Sequence, residues 1–128
     1  MDPEVLSTYL AESEDRLMDI ESGILALESY GEIIDEELIN SIFRDAHSIK
    51  AGANLLGLRN IELLSHGLEN LLDLMRQGHL SPDKGMTSLM LEGLDMINEL
   101  FEDLEASDEM DITDLHERLC EVTGMDPE

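Results

Sequence analysis

The sequence predicts an all-α fold: an up-down antiparallel four-helix bundle with a short fifth helix at its C-terminal end. Three observations predict it. Apolar residues recur at steps of three and four through most of the 128 residues, the spacing that lays one apolar stripe along a helix. Leu, Ile and Met fill those positions, Trp is absent, and only Tyr9, Tyr30, Phe43 and Phe101 are aromatic. That composition suits helix on helix better than a sheet. Gly and Pro punctuate the pattern at short connections, and short connections make neighbouring helices antiparallel.

The first helix is expected over 3–29, with Pro3 tolerated in its first turn and a stripe of Leu6, Leu10, Leu17, Ile20, Ile24 and Leu27, Ser13 filling one slot. Gly31 marks the break after it. Asp35 can cap the second helix, expected over 36–56 with Leu38, Ile42, Ala46, Ile49, Ala53 and Leu56 inward and Gly57 at its end. The third, 60–77, carries Ile61, Leu64, Leu68, Leu71 and Met75 and ends at Gly78. Ser81-Pro82 reads as a capping hydroxyl followed by a first-turn proline. It opens a fourth helix over 82–106 with Met86, Met90, Ile97, Leu100 and Leu104, its methionines filling core. A fifth segment, 111–123, has Ile112, Leu115, Leu119 and Val122. With no repeat in view, 1–128 reads as one domain.

The formal net charge of −24 argues against nucleic acid and against anionic membrane surfaces as partners. No run approaches membrane-spanning length, and the N-terminus lacks a signal-peptide pattern. Cys120 is the single cysteine, so an internal disulfide is excluded and the expected setting is cytoplasmic. The carboxylates crowded between Glu99 and Asp114 read as a solvated helix end and loop.

Against that background one stretch stands apart: Phe43-Arg44-Asp45-Ala46-His47-Ser48-Ile49-Lys50-Ala51-Gly52. His66 follows His47 by nineteen residues, in Ser65-His66-Gly67-Leu68-Glu69-Asn70-Leu71-Leu72. At ~100° per residue, His47 lies roughly 150° from the core stripe of its helix, and Lys50 about 60° from His47 and one turn along. His66 falls opposite the stripe of the third helix, with Glu69 three residues on. Antiparallel packing would bring these polar faces together along one side of the bundle. Residues 41–60 also hold three of the chain's seven basic residues, Arg44, Lys50 and Arg59, against Asp45 alone, so an anionic group is better tolerated here than elsewhere.

His47-Ser48-Ile49-Lys50, preceded by Phe43-Arg44 and followed by Gly52 and Gly57, resembles the signature of histidine phosphotransfer (HPt) domains. The second run, His66 to Leu72, narrows the resemblance to the N-terminal phosphotransfer domain of CheA-type chemotaxis histidine kinases, whose five-helix layout spans nearly the whole chain. The resemblance implies that His47 accepts a phosphoryl group through Nε2, that Glu69 accepts the Nδ1–H of His47, and that Lys50 and His66 complete the network. It implies partners that dock near Arg44, Ala51 and Gly52: the kinase's own ATP-binding domain as donor, and aspartates of CheY-type response-regulator receivers as acceptors. One departure stands out, Ala51 where the family usually has glycine. Its methyl lies one turn beyond His47 and leans back toward it, bearing on transfer rate and partner choice.

The chemistry asks for these residue types. A nucleophilic imidazole must be neutral, and a histidine reference pKa near 6.5 meets that condition at cytoplasmic pH. A carboxylate on Nδ1–H leaves Nε2 its lone pair and stabilises the positive charge formed on attack. Lysine supplies a point charge for phosphoryl oxygens. No nucleotide-binding motif is present, so the chain is expected to be a carrier, without cofactor in this domain, and part of a sensor histidine kinase. ATP and Mg²⁺ are expected on partner domains, and the isolated domain is expected to be monomeric. Two alternatives stay open: a metal site using His47, His66 and Glu69, and a helical adaptor in which His47 is dispensable. Ser48 lacks a base of its own, while His79 and His116 read as loop or surface residues.

Overall fold

Asp2 accepts the backbone N–H of Glu4 at 2.9 Å, and Pro3 takes the first position of α1 (Pro3–Tyr30), where its missing N–H is no loss. The computed structural model describes residues 2–30 and 33–125; the break expected at Gly31 lies outside the described residues. Asp35 caps α2 (Glu36–Leu56) through the N–H of Leu38. Gly57 closes α2 at φ 73°, a left-handed turn that glycine adopts without steric cost. Then come α3 (Arg59–Arg76), α4 (Lys84–Phe101), a 3-10 segment (Leu104–Glu109) and α5 (Thr113–Thr123). No strand occurs among the described residues.

Helices α1 to α4 make the up-down bundle, and α5 lies against α3. The interior is built from the expected stripes, including Leu17, Ile20, Ile24 and Leu27 of α1 and Leu64, Leu68, Leu71 and Met75 of α3. On α2 the buried set runs from Ile39 to Ala53, with Leu38 and Leu56 only partly covered. Gly67, a costly residue in mid-helix, lies beneath α5: a Cβ there would stand 2.9 Å from Leu119 Cδ1. Its bare backbone is what lets α5 approach α3.

The fourth helix departs from expectation at both ends. Asp83, not Ser81, caps it, accepting the Met86 N–H at 2.9 Å. A carboxylate caps at least as well as a hydroxyl, and Pro82 is buried ahead of the cap. At its other end α4 stops at Phe101 rather than 106, because the Asp103 side chain takes the Ala106 N–H and starts the 3-10 segment. Such short-range side-chain bonds compete with helix continuation.

Nor is the acidic stretch merely solvated. Leu58 precedes α3 without a capping side chain, and Asp108 reaches across to accept the N–H groups of Arg59 and Asn60 at 3.2 and 2.9 Å. Asn60 Nδ2 donates back to the carbonyls of Ser107 and Met110, both at 2.9 Å. An Asp108→Ala variant, losing a cap supplied from forty-nine residues away, is expected to be less stable by ~1–2 kcal/mol. Urea unfolding at unchanged slope would register the loss as a lower midpoint.

Along the α2–α3 seam the register is fixed by polar pairs. Asn40 meets Arg76, His47 meets Glu69, and Asn54 meets Glu62. The partners step by seven on both helices, in opposite directions. That is the repeat at which neighbouring helices keep the same sides facing each other. The middle pair is the site.

Candidate functional site

His47 stands on α2 with 56% of its side chain exposed, and its Nδ1 lies 3.2 Å from Glu69 Oε2 on α3. Glu69 is the surprise of the pair: only 6% of its side chain is exposed. The sequence places it on a polar face away from the core. In the bundle, however, α3 is flanked by α2, α4 and α5, so its buried arc is wider than one stripe and takes in Ser65, Gly67, Glu69 and Leu72.

A buried carboxylate needs compensation, and Lys50, one turn after His47, supplies it. Its ammonium lies 2.8 Å from Oε1 and 3.1 Å from Oε2, straddling the carboxylate. The geometry makes a hydrogen bond to Oε2 and an ionic contact to Oε1. Because a carboxylate only accepts, Nδ1 of His47 must carry the ring proton. Nε2 is left with its lone pair on an imidazole that is more than half exposed.

The remaining predicted residues fall into two groups. Arg44 and Ala51 are exposed on α2, three residues before and four after His47. Gly52 is half-buried beneath α1, and an added Cβ would stand 2.4 Å from Tyr9 Cε1. Its smallness therefore serves the bundle rather than a visiting partner. The Tyr9 hydroxyl donates to the Ile49 carbonyl at 2.6 Å, burial holds its phenol well above the ordinary range, and its ring meets Phe101 of α4. Pinned on three sides, that ring yields little. Overpacking costs ~1–3 kcal/mol, and the helix gain of Ala over Gly returns at most ~1 kcal/mol. Gly52→Ala is therefore expected to lower the thermal unfolding midpoint by several degrees.

His66 is exposed and makes no hydrogen bond or ion pair with His47, Lys50 or Glu69 among the described residues. It stands on the solvent side of α3, three residues before Glu69. Arg59 stands at the α2–α3 turn under Asp108, not beside His47. His79 is exposed, but His116, expected at the surface, is buried in α5 with its Nε2 3.5 Å from Cys120 Sγ. The three residues of the metal alternative are not drawn together: among the described residues no group of three or more His, Cys, Asp or Glu is placed to hold an ion. Lys50 already occupies the flank of Glu69.

Two neighbours of His47 escape the sequence reading. Phe43, one turn before it on α2, lies parallel to the imidazole at 7°, with centroids 6.3 Å apart. Arg76, from the end of α3, places its guanidinium 5.0 Å from the centre of the Phe43 ring. The four-residue step from Phe43 to His47 was a usable signal; Arg76 became one only with the α2–α3 register.

A helical bundle presenting an exposed imidazole, with a buried carboxylate of the next helix at its Nδ1, agrees with the phosphotransfer site that the sequence resemblance implies. The Hpt domain model matches residues 4–119, and the chain belongs to that family. Its relatives include the chemotaxis protein CheA of Salmonella typhimurium, 36% identical over 81% of this chain, and that of Rhizobium meliloti, 34% identical over 76%. The gliding motility regulatory protein of Myxococcus xanthus is 32% identical over 99%. The chain spans only 16%, 12% and 17% of those three proteins. The phosphorylated P1 domain of CheA3, solved in complex with CheY6 from R. sphaeroides, has the same fold. It superposes with a TM-score of 0.79 over 94% of this chain and 96% of that one, at 22% identity.

Proposed function

We propose that this chain is a phosphoryl carrier in two-component, chemotaxis-type signalling, and that His47 Nε2 is the carrying atom. The observation that supports it most is the buried Glu69 carboxylate on Nδ1, 3.2 Å away, which directs the free lone pair outward. In loading, that pair forms the P–N bond as the donor's bond to phosphorus breaks. Nδ1 keeps its proton, and the imidazolium charge is balanced by Glu69. In unloading, an aspartate oxygen of a receiver attacks phosphorus, and the P–N electron pair returns to Nε2.

Lys50 holds Glu69 and stands one turn along α2 from His47, where its charge can meet the oxygens of a phosphoryl group on Nε2. Arg44 and Ala51 flank the docking face, with Gly52 supporting it from below and His66 at its edge. ATP and Mg²⁺ belong to the partner domains. The donor is the ATP-binding domain of a histidine kinase of which this chain is a part, and the acceptors are receivers of the CheY kind, in the cytoplasm. The names of the relatives and of the CheA3–CheY6 complex support that pairing. No helix among the described residues is long and apolar enough to cross a membrane.

The test is transfer. The chain, loaded by a phosphoramidate, is mixed with a CheY-type receiver and Mg²⁺. The phosphoryl group is expected to leave the chain and appear as an acyl phosphate on the receiver. Loss at the same rate whether or not a receiver is present would remove the carrier role.

A further inference from the structure

A single hydrogen bond of 3.2 Å at Nδ1, on a side chain more than half exposed, restrains rotation about Cα–Cβ and Cβ–Cγ only loosely. In-line attack on phosphorus depends on where the Nε2 lone pair points, so the plane matters. Here a second contact sets it. Phe43 lies within 7° of parallel to the imidazole at 6.3 Å between centroids, inside the range of offset aromatic pairs. Phe43 is itself held: the Arg76 guanidinium sits 5.0 Å from its centre, a cation–π distance. Nor does that guanidinium hang loose. Its Nη1 donates to Asn40 Oδ1 of α2 at 3.0 Å, and its Nη2 donates to Asp73 of its own helix. Asn40–Arg76 is the seam pair adjacent to His47–Glu69, so the same register that brings Glu69 under the imidazole brings Arg76 onto Phe43.

We infer that Phe43 and Arg76 are positioning residues for His47: Arg76 fixes the Phe43 ring against the seam, and Phe43 fixes the imidazole plane that aims Nε2. The inference rests on His47 as the phosphoacceptor, and its test separates the two. Phe43→Leu removes the flat face while keeping an apolar side chain. Phe43→Tyr restores the face, and Arg76→Gln leaves the ring but removes its cation. Two quantities are read on folded protein: the initial rate of phosphorylation by a phosphoramidate, and the ¹⁵N shifts of the His47 ring, which report the tautomer.

Phe43→Leu is expected to phosphorylate about tenfold more slowly, with its ring nitrogens shifted toward a tautomer mixture as the Nδ1 bond loosens. Arg76→Gln should follow in the same direction by a smaller factor, and Phe43→Tyr should stay within about twofold of the parent, the recovery expected of a retained aromatic face. Parental rates and parental nitrogen shifts in both Phe43→Leu and Arg76→Gln would overturn the inference while leaving the carrier function standing. Should Phe43→Leu fail to fold, Arg76→Gln, an exposed change, decides alone. A parent chain that takes up no phosphoryl group would remove the carrier reading instead, and the nitrogen shifts would still report whether Phe43 positions the ring.

Discussion

A His47→Gln chain is expected to take up no phosphoryl group from a phosphoramidate donor under conditions that load the parent. The loss should be complete because no second side chain offers the same chemistry. His66 has no carboxylate on either ring nitrogen among the described residues, His79 is exposed at the α3–α4 turn, and His116 is buried beside Cys120. Ser48 would need a general base to become a nucleophile, and the Glu69 carboxylate is already engaged by His47 and Lys50. The substitution should leave the bundle intact: His47 is more than half exposed, and the Lys50–Glu69 pair beneath it survives. Intact mass before and after acid treatment reads the result, since a phosphohistidine is acid-labile and base-stable. Equal uptake by parent and variant would eliminate His47 as carrier and return the adaptor reading, in which this histidine is dispensable.

Periodicity made the helices legible, because each strip of Leu, Ile and Met is a local property of its own segment. The ends of α4 were less so. Ser81, Pro82 and Asp83 are all good start residues, and the choice among them depends on the burial of Pro82, which belongs to the tertiary packing. The use of Asp108 as a cap for α3 lay further out of reach. From Glu99 to Asp114 the carboxylates look alike in sequence, and only the fold brings one of them onto Arg59 and Asn60.

At the site, residue types and spacing announced His47, Lys50 and Glu69, yet helical-wheel arithmetic placed Glu69 on the outside. That arithmetic assigns one inward direction to a helix, while α3 has neighbours on three sides. The same arithmetic put His66 on the outer face, where the structure has it, but could not say that Glu69, three residues on, would be buried. What the sequence held unread was the seven-residue step of Asn40, His47 and Asn54 against Glu62, Glu69 and Arg76. Aligned antiparallel, those six positions fix the α2–α3 register without any coordinates, and with it Arg76 near Phe43.

Glu69→Gln is expected to slow phosphorylation of His47 by about a hundredfold or more, with the helical fold preserved. The amide has nearly the shape of the carboxylate, but its two ends differ. Lys50, a donor only, stands closer to Oε1, at 2.8 Å, than to Oε2, at 3.1 Å, so the amide oxygen goes to the Oε1 position. The NH₂ group is then left facing Nδ1. A donor there asks for a lone pair, so the ring proton moves to Nε2, and the attacking atom is blocked in the favoured tautomer. The charge balance fails as well, because the imidazolium formed on attack would have a neutral amide beneath it and the Lys50 ammonium one turn away. The stability cost is smaller. Exchanging the charge-assisted bond to Lys50 for one to an amide costs about 1 kcal/mol, since Lys50 keeps 24% of its side chain in solvent. Initial rates of phosphoramidate labelling, with circular dichroism to confirm folding, decide the matter. A slow, folded Glu69→Gln chain whose His47 nitrogen shifts report the Nε2–H form would tie the rate to the tautomer. A folded variant labelled at the parental rate would show that Glu69 neither orients nor balances the imidazole, and the buried carboxylate would then be only the counter-charge of Lys50.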